Sequence, residues 1–233
     1  MDARRILALV QPFLVTTAAE SASLDRLAPA VLTDLQLEQI SAYLDLLLRW
    51  NERINLSAVR DAEEVVTRHF GESLFAARHL FPSPGDLGSP NRLIDVGSGA
   101  GFPGLPIKIW ANELQLTLIE SNQKKATFLR EVLRRLGFKD GTVFSGRAEN
   151  FPGHADVVTL RAVERFETAL TVATRLVVSA GRVGLLIGAA QVERTRKLRP
   201  DIEWQQAAPI PLSSNRVLMI GQKNSSAIVR IDP

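Results

Sequence analysis

The sequence predicts an α/β protein with a Rossmann-like, doubly wound and mostly parallel sheet, preceded by a helical N-terminal extension. Three observations predict this fold class: helically spaced apolar residues before position 81, a segment rich in proline and glycine at 81–91, and alternating strands and helices after it. The 233 residues are 45% hydrophobic and 23% charged, which suits one principal domain with an appendage.

The N-terminal region is predicted to be helical. Residues 1–15 carry a short apolar run that a glutamine and a proline interrupt, which favours a packing helix over a signal peptide. Residues 33–56 have apolar side chains at helical spacing, with Thr33 as the predicted N-cap, and residues 62–80 predict another helix.

The segment 81–91 contains three prolines and two glycines, a composition that neither a helix nor an inner strand tolerates. We therefore predict a helical region at 1–85 packed on the core, a ligand-binding domain at 86–223 and a loose tail at 224–233. Within that domain, strands are predicted at 92–96, 114–120, 142–145, 156–160, 182–187 and 216–221, and helices from 103 and at 124–137, 166–178 and 191–198.

Composition excludes several kinds of chemistry. The chain has no cysteine and three histidines, so disulfides and thiolate chemistry are excluded and we predict no metal site. A formal net charge of +3 gives only a weak preference for anionic partners. No apolar run reaches the roughly 18 residues that a membrane span requires, so we expect a cytoplasmic protein, and we expect a monomer.

A glycine-rich turn, Asp95–Phe102, follows the first predicted strand of the sheet. Glycines let a nucleotide-like ligand approach the backbone, and Pro103 suits the first turn of the next helix. The overlapping pattern from Gly99 to Gly104 also fits a dinucleotide site, where Glu120 at the end of the next strand would hold ribose hydroxyls.

Glu120 suits either ligand, but Asp95, the tighter G-x-G-x-G spacing of the turn and a third acid, Glu149, favour S-adenosylmethionine over a dinucleotide. Asp95 stands where it would face the methionine amino group, and a pyrophosphate beside its carboxylate would be repelled. A nicotinamide cofactor and a purely structural turn remain open as alternatives.

Further segments accompany the turn in a fixed order: residues 48–58, with Asn51 and Asn55; 68–74, with His69 and Glu72; 119–129; the pair Ala148 and Glu149; and Arg161 to Val163. Together with the turn they resemble the glucose-inhibited division protein B family of 16S ribosomal RNA guanine-N7 methyltransferases, over about residues 40 to 190.

The resemblance implies a class I methyltransferase fold, S-adenosylmethionine as cofactor with S-adenosylhomocysteine as product, and 16S ribosomal RNA or the small ribosomal subunit as partner. It implies no particular catalytic residue, since guanine N7 presents a free lone pair and transfer then depends on alignment. The residues it assigns to the cofactor are Gly97, Phe102, Glu120, Ser121, Asn122, Ala148, Glu149 and Arg161.

Two positions depart from the family pattern: Glu72 replaces the usual aspartate, and the chain has Leu186-Ile187-Gly188 where a lysine is usual. The missing lysine keeps open a methyltransferase of the same fold that acts on another RNA or a small molecule. An RNA-binding protein that keeps the cofactor loop without activity is a further alternative. Two basic clusters are candidate phosphate contacts. The first consists of Lys124, Lys125, Arg130, Arg134, Arg135 and Lys139, and the second of Arg194, Arg196, Lys197 and Arg199.

Overall fold

The computed structural model describes residues 1–15, 31–82, 91–161 and 165–224. The predicted domain boundary at 85/86, the tail from 225 onward, and Ala162 and Val163 of the family signature lie outside the described residues. The boundary therefore stays a prediction.

Helices form the N-terminal region, as the sequence predicts. They are α1 (Ala3–Leu14), α2 (Asp34–Asn51), α3 (Ala62–Val65), a π-helical turn (Val66–Gly71) and α4 (Glu72–Leu80). Thr33 is confirmed as the N-cap of α2: its hydroxyl accepts from the Gln36 N–H at 3.3 Å, and the Gln36 side chain accepts from the Thr33 N–H at 2.9 Å. This reciprocal pair is a capping box.

A sheet of eight strands carries the rest of the described chain, in the order β3-β2-β1-β4-β5-β8-β6, with β7 paired to β8. Strands β1 to β5 are parallel, whereas β6 and β7 pair antiparallel with β8, and β8 pairs antiparallel with β5. The mostly parallel, doubly wound class is confirmed. The strands are β1 (Arg92–Val96), β2 (Gln115–Glu120), β3 (Gly141–Ser145), β4 (Ala155–Arg161), β5 (Val177–Gly188), β6 (Ile202–Trp204), β7 (Ala208–Pro209) and β8 (Arg216–Lys223).

In the described part of the chain, four α-helices connect or flank these strands: α5 (Gly104–Trp110), α6 (Gln123–Arg135), α7 (Phe166–Leu176) and α8 (Val192–Leu198). One apolar core lies between the sheet and α1, α2, α4, α5 and α6, and a second lies between the sheet and α7. The N-terminal helices therefore complete one face of the sheet.

The structure corrects two boundaries by five residues each. Helix α2 ends at Asn51 instead of 56, and β5 begins at Val177, five residues before the predicted start. The short edge strands β6 and β7 were not predicted, since three and two residues carry no measurable periodicity. Within the described residues, no helix is both long and apolar enough to cross a membrane.

The strand order places β1 beside both β2 and β4, so the chain winds in opposite directions from β1. Open α/β sheets bind ligands at this switch point, outside the carboxyl ends of the strands. The glycine turn follows β1 at that point.

Candidate functional site

A cavity of about 630 Å³ opens at the carboxyl edge of the sheet. The turn after β1 and the ends of β2, β4 and β5 form its wall. Four of the residues assigned from the sequence line it: Gly97, Phe102, Glu120 and Arg161. They come from three separate elements, so the fold brings them together.

A second cavity of about 390 Å³ adjoins the first, between the ends of β2 and β3 and helix α7. Ser121, Ala148 and Glu149 line it, and Gly97 and Glu120 line both cavities. The two spaces therefore meet at the glycine turn.

Asn122, the last of the assigned residues, lines neither cavity. Its side chain caps α6, where Oδ1 accepts from the N–H groups of Lys124 at 3.0 Å and Lys125 at 3.2 Å. An N-cap asparagine satisfies backbone donors that have no partner inside the helix. Asn122 contributes to the site only through its backbone N–H, which donates to the Glu120 carboxylate.

The carboxylate of Glu120 joins the glycine turn to the end of β2. Its Oε2 accepts from the Gly99 N–H at 2.9 Å and its Oε1 from the Asn122 N–H at 2.7 Å, while the residue is 8% exposed. Each carboxylate oxygen has a second lone pair, so the group retains acceptor capacity toward ligand hydroxyls.

The glycines of the turn divide into two kinds. Gly99 has φ +58°, and a Cβ added there would meet only the Gly97 carbonyl oxygen, at 3.8 Å. A Cβ on Gly101, by contrast, would collide with Leu105 and lie 2.5 Å from the Tyr43 hydroxyl. Gly99 leaves room for a ligand, whereas Gly101 is required by packing.

Gly104 completes the pattern that overlaps with a dinucleotide site, and packing explains it. A Cβ there would lie 2.8 Å from the Cβ of Asp95 and 2.9 Å from Leu118 Cδ2. This glycine allows α5 to approach β1 and β2 closely. The presence of Gly104 is therefore no evidence for a pyrophosphate site.

Asp95 lies elsewhere than the sequence suggested. It is 1% exposed and lines neither cavity, because its side chain points under the turn toward β4 and α5. Oδ1 accepts from the Thr159 hydroxyl at 2.8 Å, and Oδ2 has no hydrogen-bond partner among the described residues. Burial raises the pKa of Asp95 to about 6, against the hydrogen bonds that stabilise its charge.

Phe102 ends the turn inside an aromatic cluster. Its ring stacks on Tyr43 at 5.3 Å and on His69 at 4.9 Å between centroids, and Phe70 meets it edge-on at 5.1 Å. The Tyr43 hydroxyl donates to the Ala100 carbonyl. Helix α2 and the π-helical turn thus fix the glycine turn in place.

A buried carboxylate, Glu72, bridges two arginines at the cavity. It is 1% exposed; its Oε2 lies 3.1 Å from Arg161, and its Oε1 accepts from the Arg216 Nε at 2.8 Å. Arg161 NH1 is buried without a partner among the described residues. Such a charge group is stable only when it stays paired.

His69 is linked to Glu72 through Arg161, which contacts both side chains. Its Nδ1 lies 3.2 Å from Arg161 NH2 and its Nε2 lies 2.7 Å from the Ser57 hydroxyl. Burial lowers the pKa of His69 to about 3, and Arg161 and Arg68 add to the effect. The imidazole is therefore neutral at physiological pH.

Comparison with known proteins identifies the family. Residues 36–217, well over half of the chain, match the family model described as rRNA small subunit methyltransferase G. The chain belongs to this family. Its fold is thus that of a methyltransferase, and the resemblance seen in the sequence is confirmed.

Curated relatives carry the name ribosomal RNA small subunit methyltransferase G. The methyltransferase is 49% identical to the one from Roseiflexus castenholzii over 57% of each chain, and 43% identical to that of a second Roseiflexus over 72% of each. It is 39% identical to the protein of Xylella fastidiosa over 78% of this chain and 84% of the relative.

Solved structures at lower identity show the same fold. The ribosomal protein L11 methylase from Lactobacillus delbrueckii has a TM-score of 0.55 at 13% identity, over 68% of this chain and 80% of that one. A predicted O-methyltransferase from Agrobacterium tumefaciens has a TM-score of 0.52 at 22% identity, over 65% and 81%.

Sequence reasoning gave no site role to Arg216, which was predicted only as the first residue of a strand. In the methyltransferase it lines the larger cavity opposite Gly188, at the segment where the family usually has a lysine. A charged residue at the start of an apolar strand is common, so the sequence around Arg216 did not indicate a site residue. Only the antiparallel pairing of β8 with β5 brings Arg216 to the site.

The two basic clusters differ in their surroundings. In the first, on and after α6, Lys124, Arg130 and Arg134 are exposed, and Lys125 lines the larger cavity. In the second, Arg194 pairs with Glu167 and Arg199 pairs with Asp201. Within the described residues, the first cluster makes no ion pair with an acid and leaves its cations available.

Proposed function

We propose that this methyltransferase transfers a methyl group from S-adenosylmethionine to N7 of a guanine in 16S ribosomal RNA. One observation of the structure carries the proposal: two cavities, one beside the end of β2 and one beside the end of β4, meet at Gly97 and Glu120. A cofactor that spans both cavities leaves its reactive end in the larger one, where a base has room.

The residues present fit such a cofactor. Gly97 and Gly99 have positive φ, a Cβ at Gly99 would project into the open cradle, and Glu120 offers free lone pairs to ribose hydroxyls. Ser121, Ala148 and Glu149 would surround the adenine in the smaller cavity. Phe102 and Arg161 would flank the methionine in the larger one. Asp95 is buried beneath the turn, so it would act on the cofactor through its electric field and not by contact.

Bound S-adenosylmethionine supplies an electrophilic methyl group on a sulfonium. The protein's task is to hold the base with N7 in line with that group and to exclude water, which is catalysis by alignment and electrostatics. Guanine N7 carries no proton, so no general base is required. The neutral state of His69 and the buried, paired state of Glu72 agree with a site built for positioning.

The RNA would approach over the exposed cations of the first basic cluster. Lys125 lies at the cavity, and Lys124 and Arg130 extend from it along α6. N7 is on the major-groove edge, which A-form RNA hides, so the target guanine would be unpaired or flipped out. We also propose that the protein acts as a monomer in the cytoplasm.

Calorimetry and methyl transfer test this function. S-adenosylmethionine should bind and NAD should not, and labelled methyl should appear as N7-methylguanine in unmethylated small-subunit RNA. Methylation confined to protein or small molecules would contradict the proposal. Light scattering should give a mass near 25.6 kDa for the free protein.

The change Glu120→Gln tests the cradle. An amide offers a single acceptor oxygen and places an NH₂ group against a backbone N–H, so affinity for S-adenosylmethionine should fall roughly tenfold to a hundredfold. Glu113→Gln is the matched control, since Glu113 is exposed, lines neither cavity and should cost much less. Equal losses at both positions would show that Glu120 has no special part in the site.

A further inference from the structure

Ser57 occupies a fixed place on the wall of the larger cavity. The loop that follows α2 is held by the buried Asn51, whose Oδ1 accepts from the Ser57 N–H at 3.0 Å and whose Nδ2 donates to the Ser57 carbonyl at 3.0 Å. The serine backbone is therefore anchored, and the partly exposed side chain lines the same cavity as Gly97 and Phe102.

Arg161 determines which nitrogen of His69 carries the proton. A guanidinium has donors only, so the Nδ1 atom that lies 3.2 Å from Arg161 NH2 must act as the acceptor. The imidazole is neutral, with its pKa lowered to about 3, and has one proton, which must then be on Nε2. His69 Nε2 therefore donates to the Ser57 hydroxyl at 2.7 Å.

Both lone pairs of the Ser57 hydroxyl are thereby used. One accepts from His69, and the other accepts from the Val59 N–H at 3.1 Å. The hydroxyl proton has no acceptor among the described residues. A serine hydroxyl usually serves as donor or acceptor as required, but here it can only donate, and the free direction is the cavity.

We propose that Ser57 is a specificity residue that donates to the acceptor next to the methylated nitrogen, O6 of the target guanine. The inference rests on the proposed function. On the major-groove edge guanine presents N7 and O6, both acceptors, whereas adenine presents N7 and an amino donor. A hydroxyl that can only donate forms a hydrogen bond with the guanine edge, and it is repelled by the amino group on the adenine edge.

His69 is the positioning residue in this arrangement, because its Nε2–H occupies the lone pair that would otherwise let the serine accept. Arg161 in turn sets the tautomer of His69 through Nη2, the same nitrogen that donates to the Arg68 carbonyl at 2.9 Å and to Glu72 at 3.1 Å. The selectivity of Ser57 thus depends on a chain that runs from the sheet through the π-helical turn to the loop.

The test compares two synthetic RNA fragments that contain the mapped methylation position. One carries guanine there, and the other carries 2-aminopurine, which keeps N7 and the exocyclic amine but lacks O6. The wild-type protein should methylate guanine roughly tenfold faster or more in kcat/KM, since the bound analogue covers the Ser57 hydroxyl and leaves this donor unpaired. Ser57→Ala should bring the ratio of the two rates close to one, and Ser57→Thr should keep it.

His69→Phe keeps an aromatic ring against Phe102 but lacks the Nε2 donor, so it should also lower the ratio. Calorimetry with S-adenosylmethionine, which should bind all variants within about threefold, confirms that the cofactor site is intact. The specificity role is overturned if Ser57→Ala slows both fragments by the same factor or leaves the ratio unchanged. If the wild-type protein methylates neither fragment, the proposed function fails, and this inference fails with it.

Discussion

Gly99 and Gly101 are two residues apart and both have positive φ, yet their neighbours differ. A side chain at Gly99 would project into open space, and one at Gly101 would collide with Leu105 and Tyr43. The same residue type therefore serves ligand approach at one position and packing at the other. Substitution separates the two roles.

We expect Gly99→Ala to fold and to lose affinity for S-adenosylmethionine, because the added methyl occupies the cradle at a backbone cost of only ~1 kcal/mol. Gly101→Ala should instead lower stability by roughly 3 kcal/mol or more, since strain and overpacking add. Urea unfolding and calorimetry measure the two effects. A stable Gly101→Ala protein would contradict the packing argument.

Two buried groups give stability opposite dependences on pH. His69 has a pKa of about 3 in the folded protein, below its ordinary 6.5, so the unfolded chain binds its proton first and stability falls as pH drops from about 6.5 to 3. Asp95 has a pKa of about 6, above its ordinary 3.8, so it stabilises the folded protein as pH drops from about 6 to 3.8. The two effects offset each other in that window.

His69→Gln should therefore gain stability relative to the wild-type protein on acidification, by up to ~1.4 kcal/mol for each pH unit below 6.5. The physical reason is that the variant no longer forces a titratable ring to stay neutral. Urea unfolding at pH 7.5, 6 and 5 measures the difference between the two proteins. If the free energies of unfolding of the two proteins differ by the same amount at all three pH values, His69 is not the group responsible.

At the scale of elements, the end of α2 shows how a side chain ends a helix. Apolar spacing continues to 56, so the sequence predicts a helix to that point, but Asn51 Oδ1 accepts from the backbone N–H groups of Leu56 and Ser57. Asparagine competes with the helix for backbone donors in this way. The resulting loop carries Ser57 to the cavity.

Asn51→Ala should destabilise the protein by about 2–4 kcal/mol, because buried backbone donors of the loop lose their acceptor. Asn55→Ala is the matched control: Asn55 is exposed, and its replacement should change stability by less than ~0.5 kcal/mol. Chemical unfolding measures both. Comparable losses would mean that the loop is not held by Asn51.

The π-helical turn Val66–Gly71 is a second element with consequences for the site. Such turns occur often at functional sites because they change which residues share a helix face. Here His69 lies in the turn and Glu72 follows it, and both contact Arg161. Gly71 faces the ring of Phe13, so α1 packs directly on the turn.

At the scale of the whole molecule, the charge that matters for RNA is local. The net charge is only +3, but the exposed cations of α6 begin at the mouth of the larger cavity. In the second cluster Arg194 and Arg199 are paired with acids, which reduces its field. We expect the first cluster to provide most of the phosphate contacts.

Replacing Lys124, Arg130 and Arg134 together by alanine should weaken RNA binding and reduce the slope of log K against log salt by roughly 2, about 0.7 for each lost phosphate contact. The matched control replaces Arg194, Arg196 and Lys197 and should change the slope much less. Filter binding at several salt concentrations measures both. The opposite ranking would place the RNA on the second cluster.

The sequence by itself predicted the fold class, the capped start of α2 and most strands, and its family resemblance pointed to eight residues, of which seven line the cavities. Those features depend on local signals: periodicity, turn residues and short motifs that stay close in the chain. Asn122 shows the limit, since the same motif position proved to be a helix cap whose backbone alone reaches Glu120.

Only the tertiary structure decided which groups meet. Glu72 pairs with Arg216 across 144 residues, and Asp95 turns under the glycine loop because Gly104 and Thr159 lie there. The tautomer of His69, and with it the donor role of Ser57, follows from Arg161 on a distant strand. Long-range electrostatics and packing leave no periodic trace in a sequence, because the partners are brought together only when the sheet forms.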